Sequence, residues 1–343
     1  MKRTVFISLL LFGAAGAFCQ KNGSDSDLNF EKRVVCEEGT GTWCGWCVRG
    51  IVSTEEMTLR HPDDFIAIAI HRGDELATSS YVPLIDTYFE NIPMCILNRM
   101  GEALIDPSID ILETAYEWVK QAPAEAGINT VAWFKDESRK ALKTKTTMQF
   151  ASDYDDANFK LAFVILEDSV AVEQANYYAN HAAGEMAGFE DSLGYVHISL
   201  DHVARTIKSN WRGISKSVPS QIVSGEKYEY EYNFTLPTNI LDVENIWLVA
   251  LLLNADTEEI VNAHKVRIMS SDYGTGITLT NPTHFATVRI CDGWVLSLDN
   301  RTETRIFSLD GKEIPNGSLR SGVYIIKQKR DGIISVSKTV YSR

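Results

Sequence analysis

The sequence predicts three folded regions: an α/β layer, an all-β sandwich and a small all-β domain. Residues 30–122 alternate strand-like and helix-like stretches, and within them residues 65–70 form a continuous apolar run. Such a run is typical of a strand that is buried on both faces of a sheet. Residues 228–236 instead alternate strictly between apolar and polar side chains, which is the pattern of a half-buried strand.

Length and turn signals divide the chain. Its 343 residues are too many for one ordinary domain. We predict an export signal over residues 1–19, the α/β layer over residues 30–122, the β-sandwich over residues 127–269 and the C-terminal β domain over residues 275–343. Two Asp-Gly pairs in the last region are strong hairpin signals.

Each region has its own predicted elements. In the α/β layer we expect strands over residues 34–36, 65–70, 94–97 and 103–105, a loop over 39–41, and helices over 44–59, 81–90 and 109–119. In the sandwich we expect strands over residues 131–134, 142–150, 161–166, 228–236, 246–253 and 260–268. The insertion over residues 169–205 is rich in Ala, Asn, Tyr, Gly and His, which predicts loops, with room for one helix.

The charge balance excludes two classes of partner. The formal net charge is −13, and no long basic block interrupts it. A chain of this kind repels phosphate backbones and anionic lipid headgroups. We therefore expect neither nucleic-acid binding nor polybasic docking on a membrane.

The N-terminus reads as an export signal. A positively charged start precedes the uncharged, apolar residues 5–18, a run too short to span a bilayer comfortably. Cleavage after Cys19 would leave Gln20 as the new N-terminus. Lipid attachment at Cys19 is the alternative, but the bulky Phe18 before it disfavours a lipoprotein signal. Either route exports the chain to a compartment where disulfides persist.

The cysteines point to one redox-type pair. After removal of the signal, five of the six cysteines remain, too few for a disulfide framework in a chain of this length. Cys44 and Cys47 form a Cys-Gly-Trp-Cys motif, and no second ligand pair matches it as a structural zinc site would require. We expect Cys36 and Cys95 to be buried thiols rather than a second disulfide, and Cys291 to be a packed thiol.

The position of the pair favours thiol chemistry. It follows a strand and a loop and lies in the first turn of a helix, where backbone N–H groups stabilise a thiolate. Cys44 would attack a substrate disulfide, and Cys47, one turn later, would resolve the mixed disulfide. Trp43 and Trp46 would offer apolar surface for docking a protein substrate, unless both are merely packed.

The stretch Thr-Trp-Cys-Gly-Trp-Cys over residues 42–47 resembles the active-site motif of the thioredoxin superfamily. The resemblance implies a thioredoxin-like fold in which Pro93 is cis and faces the dithiol. The backbone beside it, at Met94, would receive a substrate strand by β-pairing. Glu38 occupies the position of a buried acid that moves protons for the second cysteine. The alternative is an exposed carboxylate at the end of a strand.

A wider pattern resembles a family of outer-membrane antigens from Bacteroidetes, in which a thioredoxin-like domain is joined to a β-rich domain. The resemblance covers residues 34–268 and is carried by the dithiol segment, Ile-His-Arg-Gly-Asp at 70–74, Leu-Asn-Arg at 97–99, Gln-Ala-Asn-Tyr-Tyr at 174–178 and His-Val-Ala-Arg at 202–205. In the last region, Thr-Asn-Pro at 280–282, Phe-Ser-Leu-Asp-Gly-Lys at 307–312 and Leu-Arg-Ser-Gly-Val-Tyr-Ile at 319–325 resemble the C-terminal sorting domain of type IX secretion. Together these imply an outer-membrane or cell-surface address, with the periplasm second, and a partnership with the outer-membrane export machinery.

These observations lead to two functional hypotheses. The first is thiol–disulfide exchange on exported proteins, through Cys44 and Cys47 and with an unidentified redox partner. The second is a non-catalytic surface binding or adhesion protein, in which the same pair is a stable structural disulfide. No motif indicates a cofactor or a metal site, and none encodes the direction of exchange, the substrate or the oligomeric state.

Overall fold

The computed structural model describes residues 28, 30–180, 186–192 and 194–269, and then residues 289–291, 294–296, 303–308, 312–316, 319, 322–330 and 333–341. The predicted signal peptide, with Cys19, lies outside the described residues. Within the described part, no helix combines the length and apolar character needed to cross a bilayer.

The α/β layer forms almost as the sequence predicts. Its strands are β1 (Val34–Thr40), β2 (Phe65–His71) and β3 (Met94–Leu97), and its helices are α1 (Val48–Arg60), α2 (Val82–Tyr88) and α3 (Ile109–Gln121). Two details differ. The first strand continues through the predicted loop to Thr40, because it pairs in parallel with β2 up to Thr40 and His71. The predicted strand over residues 103–105 is reduced to a single bridge between Cys95 and Ile105.

The second region is built from strands. They are β4 (Ala126–Phe134), β5 (Ala141–Phe150), β6 (Phe159–Glu167), β7 (Val170–Asn176), β8 (Gly194–Leu200), β9 (Val203–Lys208), β10 (Lys227–Thr235), β11 (Ile246–Asn254) and β12 (Ile260–Arg267). All six strands predicted for this region are confirmed. The loops expected over residues 169–205 are wrong in part, because this insertion contains the strands β7 and β8, which pair as an antiparallel hairpin, and the start of β9. The described residues between β7 and β8, 177–180 and 186–192, lie outside strands.

One sheet joins the two regions. Its seven strands have the order β12-β11-β6-β9-β2-β1-β3, so the boundary predicted near residues 122–127 does not interrupt it. The join lies between β2 and β9, which run in parallel and pair at Ala69 and Val203. Apolar side chains of Ile68, Leu84 and Val164 belong to one core under this sheet. The α/β layer therefore shares both its sheet and its core with the β-rich region.

A second, smaller sheet completes the sandwich. Its three strands have the order β10-β5-β4, and their inner side chains pack against the large sheet. The alternation predicted for residues 228–236 is confirmed, because Tyr228, Tyr230 and Tyr232 are half-buried while the glutamates between them are exposed. The Tyr232 ring stacks on Phe163 of β6, with 5.5 Å between the ring centroids. The aromatic ladder is therefore part of the core.

A buried ion pair links β1 to the segment after β3. The Arg99 guanidinium donates to both carboxylate oxygens of Glu37, at 2.6 and 2.7 Å, and to the Trp211 carbonyl at 2.8 Å. Both side chains are at most 1% exposed. Because an unpaired buried charge is costly, these residues depend on one another.

The C-terminal region contains further short strands. They are β13 (Arg289–Cys291), β14 (Trp294–Leu296), β15 (Glu303–Ser308), β16 (Glu313–Ile314), β17 (Gly322–Arg330) and β18 (Ile333–Tyr341). Four of them form a sheet of order β16-β15-β17-β18. The β17–β18 pairing confirms the hairpin predicted at the second Asp-Gly pair, although both Asp-Gly pairs and the side chain of Cys291 lie outside the described part.

Candidate functional site

The dithiol lies where β1 gives way to a helix. Cys44 precedes one 3-10 turn, Gly45–Cys47, which continues directly into α1. The two cysteines form a disulfide, with 5.3 Å between their Cα atoms. Cys44 is 6% exposed and Cys47 is fully buried. Cys44 is thus the more exposed of the two, but it is largely covered, whereas an exchange nucleophile must be accessible.

The loop before β3 faces the disulfide. The peptide bond between Ile92 and Pro93 is cis, as the resemblance implied. The Cys44 sulfur lies 3.9 Å from the Ile92 carbonyl oxygen. Met94 is half-buried, packs against the core and pairs with Gly39 of β1. The structure therefore brings Cys44 and the Ile92–Pro93 loop together.

Strand β7 and the residues after it cover the dithiol turn. Their backbone N–H groups donate to this turn, from Ala175 to the Thr42 carbonyl at 2.8 Å and from Tyr177 to the Gly45 carbonyl at 3.1 Å. The buried Gln174 side chain donates to the Cys44 carbonyl at 2.9 Å. We call residues 174–178 the cover segment. Its hydrogen bonds hold it against the backbone of residues 42–45.

Aromatic rings of the cover segment pack against the dithiol turn. The Tyr177 ring stands over Gly45, where an added Cβ atom would lie 2.4 Å from the ring. Trp46 meets Tyr177 and Tyr178 edge to face, at centroid distances of 5.6 and 5.2 Å. Arg49 of α1 donates to the Tyr178 hydroxyl at 2.9 Å. The glycine of the motif is therefore required by the close approach of Tyr177.

A second loop supports the dithiol from the end of β2. Asp74 accepts hydrogen bonds from the Thr42 backbone N–H at 2.8 Å and from the His71 Nδ1 atom at 2.7 Å. The Trp43 indole donates to the Arg72 carbonyl at 2.7 Å, and its ring remains 50% exposed. Trp46 is 44% exposed. Both tryptophans therefore present apolar surface beside the disulfide, although each is also held by a contact.

Glu38 is buried beneath the dithiol helix. It is 2% exposed, so the alternative of an exposed strand-end carboxylate is wrong. Its Oε1 atom lies against Gly50 of α1, where an added Cβ atom would be 1.7 Å away. Gly50 is three residues after Cys47 and therefore lies on the same face of the helix. Burial raises the pKa of Glu38 to about 8, so this carboxyl is protonated at neutral pH.

The raised pKa of Glu38 predicts a pH dependence of stability. The folded carboxyl keeps its proton up to about pH 8, whereas the ordinary value is 4.5. The free energy of unfolding should therefore fall as pH rises between these values, by up to about 1.4 kcal/mol per pH unit from this group. Replacing Glu38 by glutamine should flatten this part of the profile in urea unfolding measured from pH 4 to 9.

A matched control is Glu56→Gln, because Glu56 lies on the surface of α1 beside Arg60. Glu55, whose pKa is raised to about 7 mainly by burial, adds a decrease of the same sign and remains in both variants. Parallel profiles for the wild type and Glu38→Gln would contradict the prediction.

Cys36 and Cys95 are buried free thiols, as predicted. They lie on adjacent antiparallel strands, where Cys36 is opposite Leu97 and Cys95 is opposite Glu38. A hydrogen bond with Cys36, reinforced by burial, raises the pKa of the Cys95 thiol. Neither thiol is poised to react.

Four residues of the site were not among the predicted functional residues: Gln174, Tyr177, His71 and Asp74. The first two come from an insertion about 130 residues after the dithiol, as the separation of Gln174 from Cys44 shows. Their only signal in the sequence was the Gln-Ala-Asn-Tyr-Tyr stretch that carried part of the family resemblance. The position of His71 at the end of a buried strand favours a hydrogen-bonded structural histidine, with electrostatic tuning of the dithiol as the alternative.

Three solved structures are similar to this chain to different degrees. HBP35 of Porphyromonas gingivalis superposes with a TM-score of 0.52 and 18% identity, over 91% of this chain and 99% of that chain. A protein from Agrobacterium tumefaciens is 13% identical, with a TM-score of 0.39 over 70% of this chain and 95% of its own. A domain of the outer membrane lipoprotein Omp28 from P. gingivalis is 16% identical, with a TM-score of 0.24 over 43% of this chain and 90% of that domain.

No curated protein matches the sequence. The family described as outer membrane protein Omp28 matches residues 86–272, from α2 to just beyond β12. The match includes β3, the cover segment and every strand of the sandwich, and it spans more than half of the chain. The protein therefore belongs to the Omp28 family and is an outer-membrane protein of the cell surface.

Proposed function

We propose that this cell-surface protein carries out thiol–disulfide exchange on exported proteins through Cys44 and Cys47. In this proposal residues 30–122 are a thioredoxin-like layer, within which Cys44 is the nucleophile and Cys47 the resolving thiol. One juxtaposition supports it above all. The disulfide lies at the start of a helix, and the Cys44 sulfur is 3.9 Å from the carbonyl oxygen of the Ile92–Pro93 loop.

The surroundings of the disulfide fit the same chemistry. Backbone N–H groups at the start of α1 would stabilise a Cys44 thiolate when the pair is reduced. Glu38, buried and protonated at neutral pH, lies on the face of the helix that carries Cys47. The exposed faces of Trp43 and Trp46 would contact a protein substrate, and the strand backbone at Met94 would pair with it.

Trapping of mixed disulfides tests this function. The Cys47→Ser variant should accumulate an intermolecular disulfide on Cys44 when mixed with a disulfide-containing protein such as insulin, because the resolving thiol is absent. The Cys44→Ser variant is the matched control and should trap nothing. Non-reducing gels and mass spectrometry would detect the adduct. No adduct on Cys47→Ser, also after addition of a low concentration of urea to loosen the cover segment, would reject the proposal.

The coverage of Cys44 favours a second candidate. A surface binding protein could use this layer as a scaffold, with the disulfide as a structural staple under the cover segment. The 6% exposure of Cys44 and the hydrogen bonds from Gln174, Ala175 and Tyr177 support it. The reduction potential of the pair separates the two candidates. A value in the range of about −120 to −270 mV is typical of exchange proteins, and one below about −300 mV is typical of structural disulfides.

We also propose that residues 275–343 act as the sorting region that engages the outer-membrane export machinery. The likeness of this region to type IX sorting domains supports the idea. Its described strands form two small sheets, β13-β14 and β16-β15-β17-β18, which contain no strand from the rest of the chain.

A further inference from the structure

A water-sized cavity lies beside Glu38, between the sheet, the dithiol helix and the β8–β9 turn. The centre of a water molecule can occupy about 20 Å³ of it. Side chains from four places line it: β1, β2, α1 and the β8–β9 turn, including Glu38, His71, Glu55 and Asp201. A volume of this size is enough for one ordered water when polar partners are present.

Two polar atoms in the lining residues lack a partner among the described residues. They are the Oε1 atom of Glu38 and the Nε2 atom of His71, both buried. Glu38 is 2% and His71 is 3% exposed. Because buried polar atoms are nearly always hydrogen-bonded, two unpartnered atoms beside one water-sized space require an explanation.

We propose that one ordered water occupies this cavity and joins Glu38 Oε1 to His71 Nε2. During exchange Glu38 gives its proton to Cys47, and the water delivers a replacement proton to Glu38. His71 is then a positioning residue that holds the water. The proposal rests on the exchange function proposed above. It extends that function to a residue of the neighbouring strand and to a route for the proton.

The orientation of His71 suits this role. Asp74 accepts a hydrogen bond from His71 Nδ1 at 2.7 Å, which leaves Nε2 as the acceptor in the neutral imidazole. The bound water can donate to Nε2 and accept from the protonated Glu38 carboxyl. Asp74 also accepts from the Thr42 N–H, so the residue that orients His71 fixes the loop before Cys44 as well.

The proton balance of the exchange is simple. A thiolate of a reduced protein substrate attacks Cys44 Sγ, forming a mixed disulfide as the Cys44–Cys47 bond breaks. The electron pair leaves on Cys47 Sγ, which takes the proton of Glu38. A second substrate thiolate then attacks the mixed disulfide, releasing the oxidised substrate and the Cys44 thiolate. The Glu38 carboxylate regains a proton from solvent through the cavity water.

The mouth of the cavity supplies that proton. Glu55 of α1 and Asp201 of the β8–β9 turn are half-buried and line the cavity. Burial is the first cause of a raised pKa in both residues, and the nearby Asp168 adds to it. Lys265 opposes these shifts. The titratable lining residues are therefore Glu38, Glu55, His71 and Asp201, and the charged groups that act on them from neighbouring positions include Asp74, Asp168, Lys265 and Arg267.

The bridge can be tested in the full chain without any exchange assay. Relative to the wild type, the Glu38→Gln variant should show a shifted ¹⁵N resonance of His71 Nε2. In the His71→Asn variant, the titration midpoint of the Glu38 carboxyl should move by at least half a pH unit. NMR of ¹³C- and ¹⁵N-labelled protein measures both. His197→Asn is the matched control, because the His197 side chain is 84% exposed and does not line the cavity.

The proton route is tested by kinetics. His71→Asn should slow reduction of the disulfide by a reduced protein about tenfold at pH 7 and increase the solvent isotope effect, with the reduction potential unchanged. Glu55→Gln, at the cavity mouth, should also slow the reaction. It provides a second test of the proton route if His71→Asn does not fold. Stopped-flow tryptophan fluorescence from pH 6 to 9 follows the reaction.

The outcomes separate the two proposals. If wild-type protein exchanges disulfides but neither variant changes the rate, the pH profile or the Glu38 titration, the water bridge is overturned and the exchange function stands. If the NMR shifts occur but wild-type protein does not exchange disulfides, the exchange function and the proton route fall. Only a structural water would then remain.

Discussion

Replacing Arg99 by methionine is expected to lower the free energy of unfolding by about 3–5 kcal/mol. The change leaves the Glu37 carboxylate in a buried position without the guanidinium that donates to both of its oxygens. It also removes the donor to the Trp211 carbonyl. Urea unfolding monitored by tryptophan fluorescence measures the loss.

Two controls make the result specific. Arg60→Met removes an exposed arginine that pairs with Glu56 and Glu113, and should leave the free energy of unfolding nearly unchanged, because solvent screens exposed ion pairs. The double variant Glu37→Leu/Arg99→Met removes both buried charges and should recover most of the lost stability. A loss below about 1 kcal/mol for Arg99→Met alone would show that the pair does not hold β1 to the segment after β3.

Replacing Tyr177 by alanine should expose the disulfide to reductant. The Tyr177 ring covers Gly45 and meets the Trp46 ring edge to face at 5.6 Å. Such a ring pair contributes about 0.5–1.5 kcal/mol beyond the area it buries. Its loss should raise the open fraction of the cover segment, and with it the rate of reduction by dithiothreitol, about tenfold. Alkylation of the released thiols and mass spectrometry give the rate.

The partner residue and a matched tyrosine provide the controls. Gly45→Ala should have a similar effect, because its Cβ atom would collide with the Tyr177 ring, and should be tolerated once Tyr177 is alanine. Tyr195→Ala changes a tyrosine on β8 that is 68% exposed, and should leave the rate unchanged. Equal rates for wild type and Tyr177→Ala would mean that the cover segment does not limit access to Cys44.

The local features of the site were predictable because each rests on a short stretch of sequence. The Cys-x-x-Cys spacing and its position after a strand predicted the disulfide at the start of a helix, and the structure confirms both. The burial of Cys36 and Cys95 followed from their apolar strands. The alternation over residues 228–236 predicted a half-buried strand with its aromatic side in the core, which β10 confirms.

The cover segment was not predictable in the same way. It comprises the end of β7 and the two tyrosines that follow, within an insertion whose polar and small residues suggested loops. A half-buried strand is recognised by apolar residues at every second position. Gln174 and Asn176 occupy such buried positions but are polar, and their hydrogen-bond partners include backbone carbonyls of residues outside β7. Such hydrogen bonds are formed only in the folded chain, and no local propensity indicates them.

The join between the two regions was missed for a related reason. A composition change near residues 122–127 indicated a boundary between α/β and all-β stretches. The pairing of β2 with β9 depends on a single contact, at Ala69 and Val203, between segments far apart in the chain. The continuous apolar run of β2 correctly predicted burial on both faces, but it carries no information about which strand lies at its edge.

The shared sheet limits how the molecule can be divided. A fragment ending near residue 122 would expose the hydrogen-bonding edge of β2 and would remove the β-rich half from the core that it shares with Ile66, Ile68 and Ile70. Such a fragment is expected to self-associate. A fragment produced to study the dithiol should therefore extend at least to Arg267, the last residue of β12. If the downstream strands were lost in the cell, the remaining fragment should aggregate and be degraded by proteases.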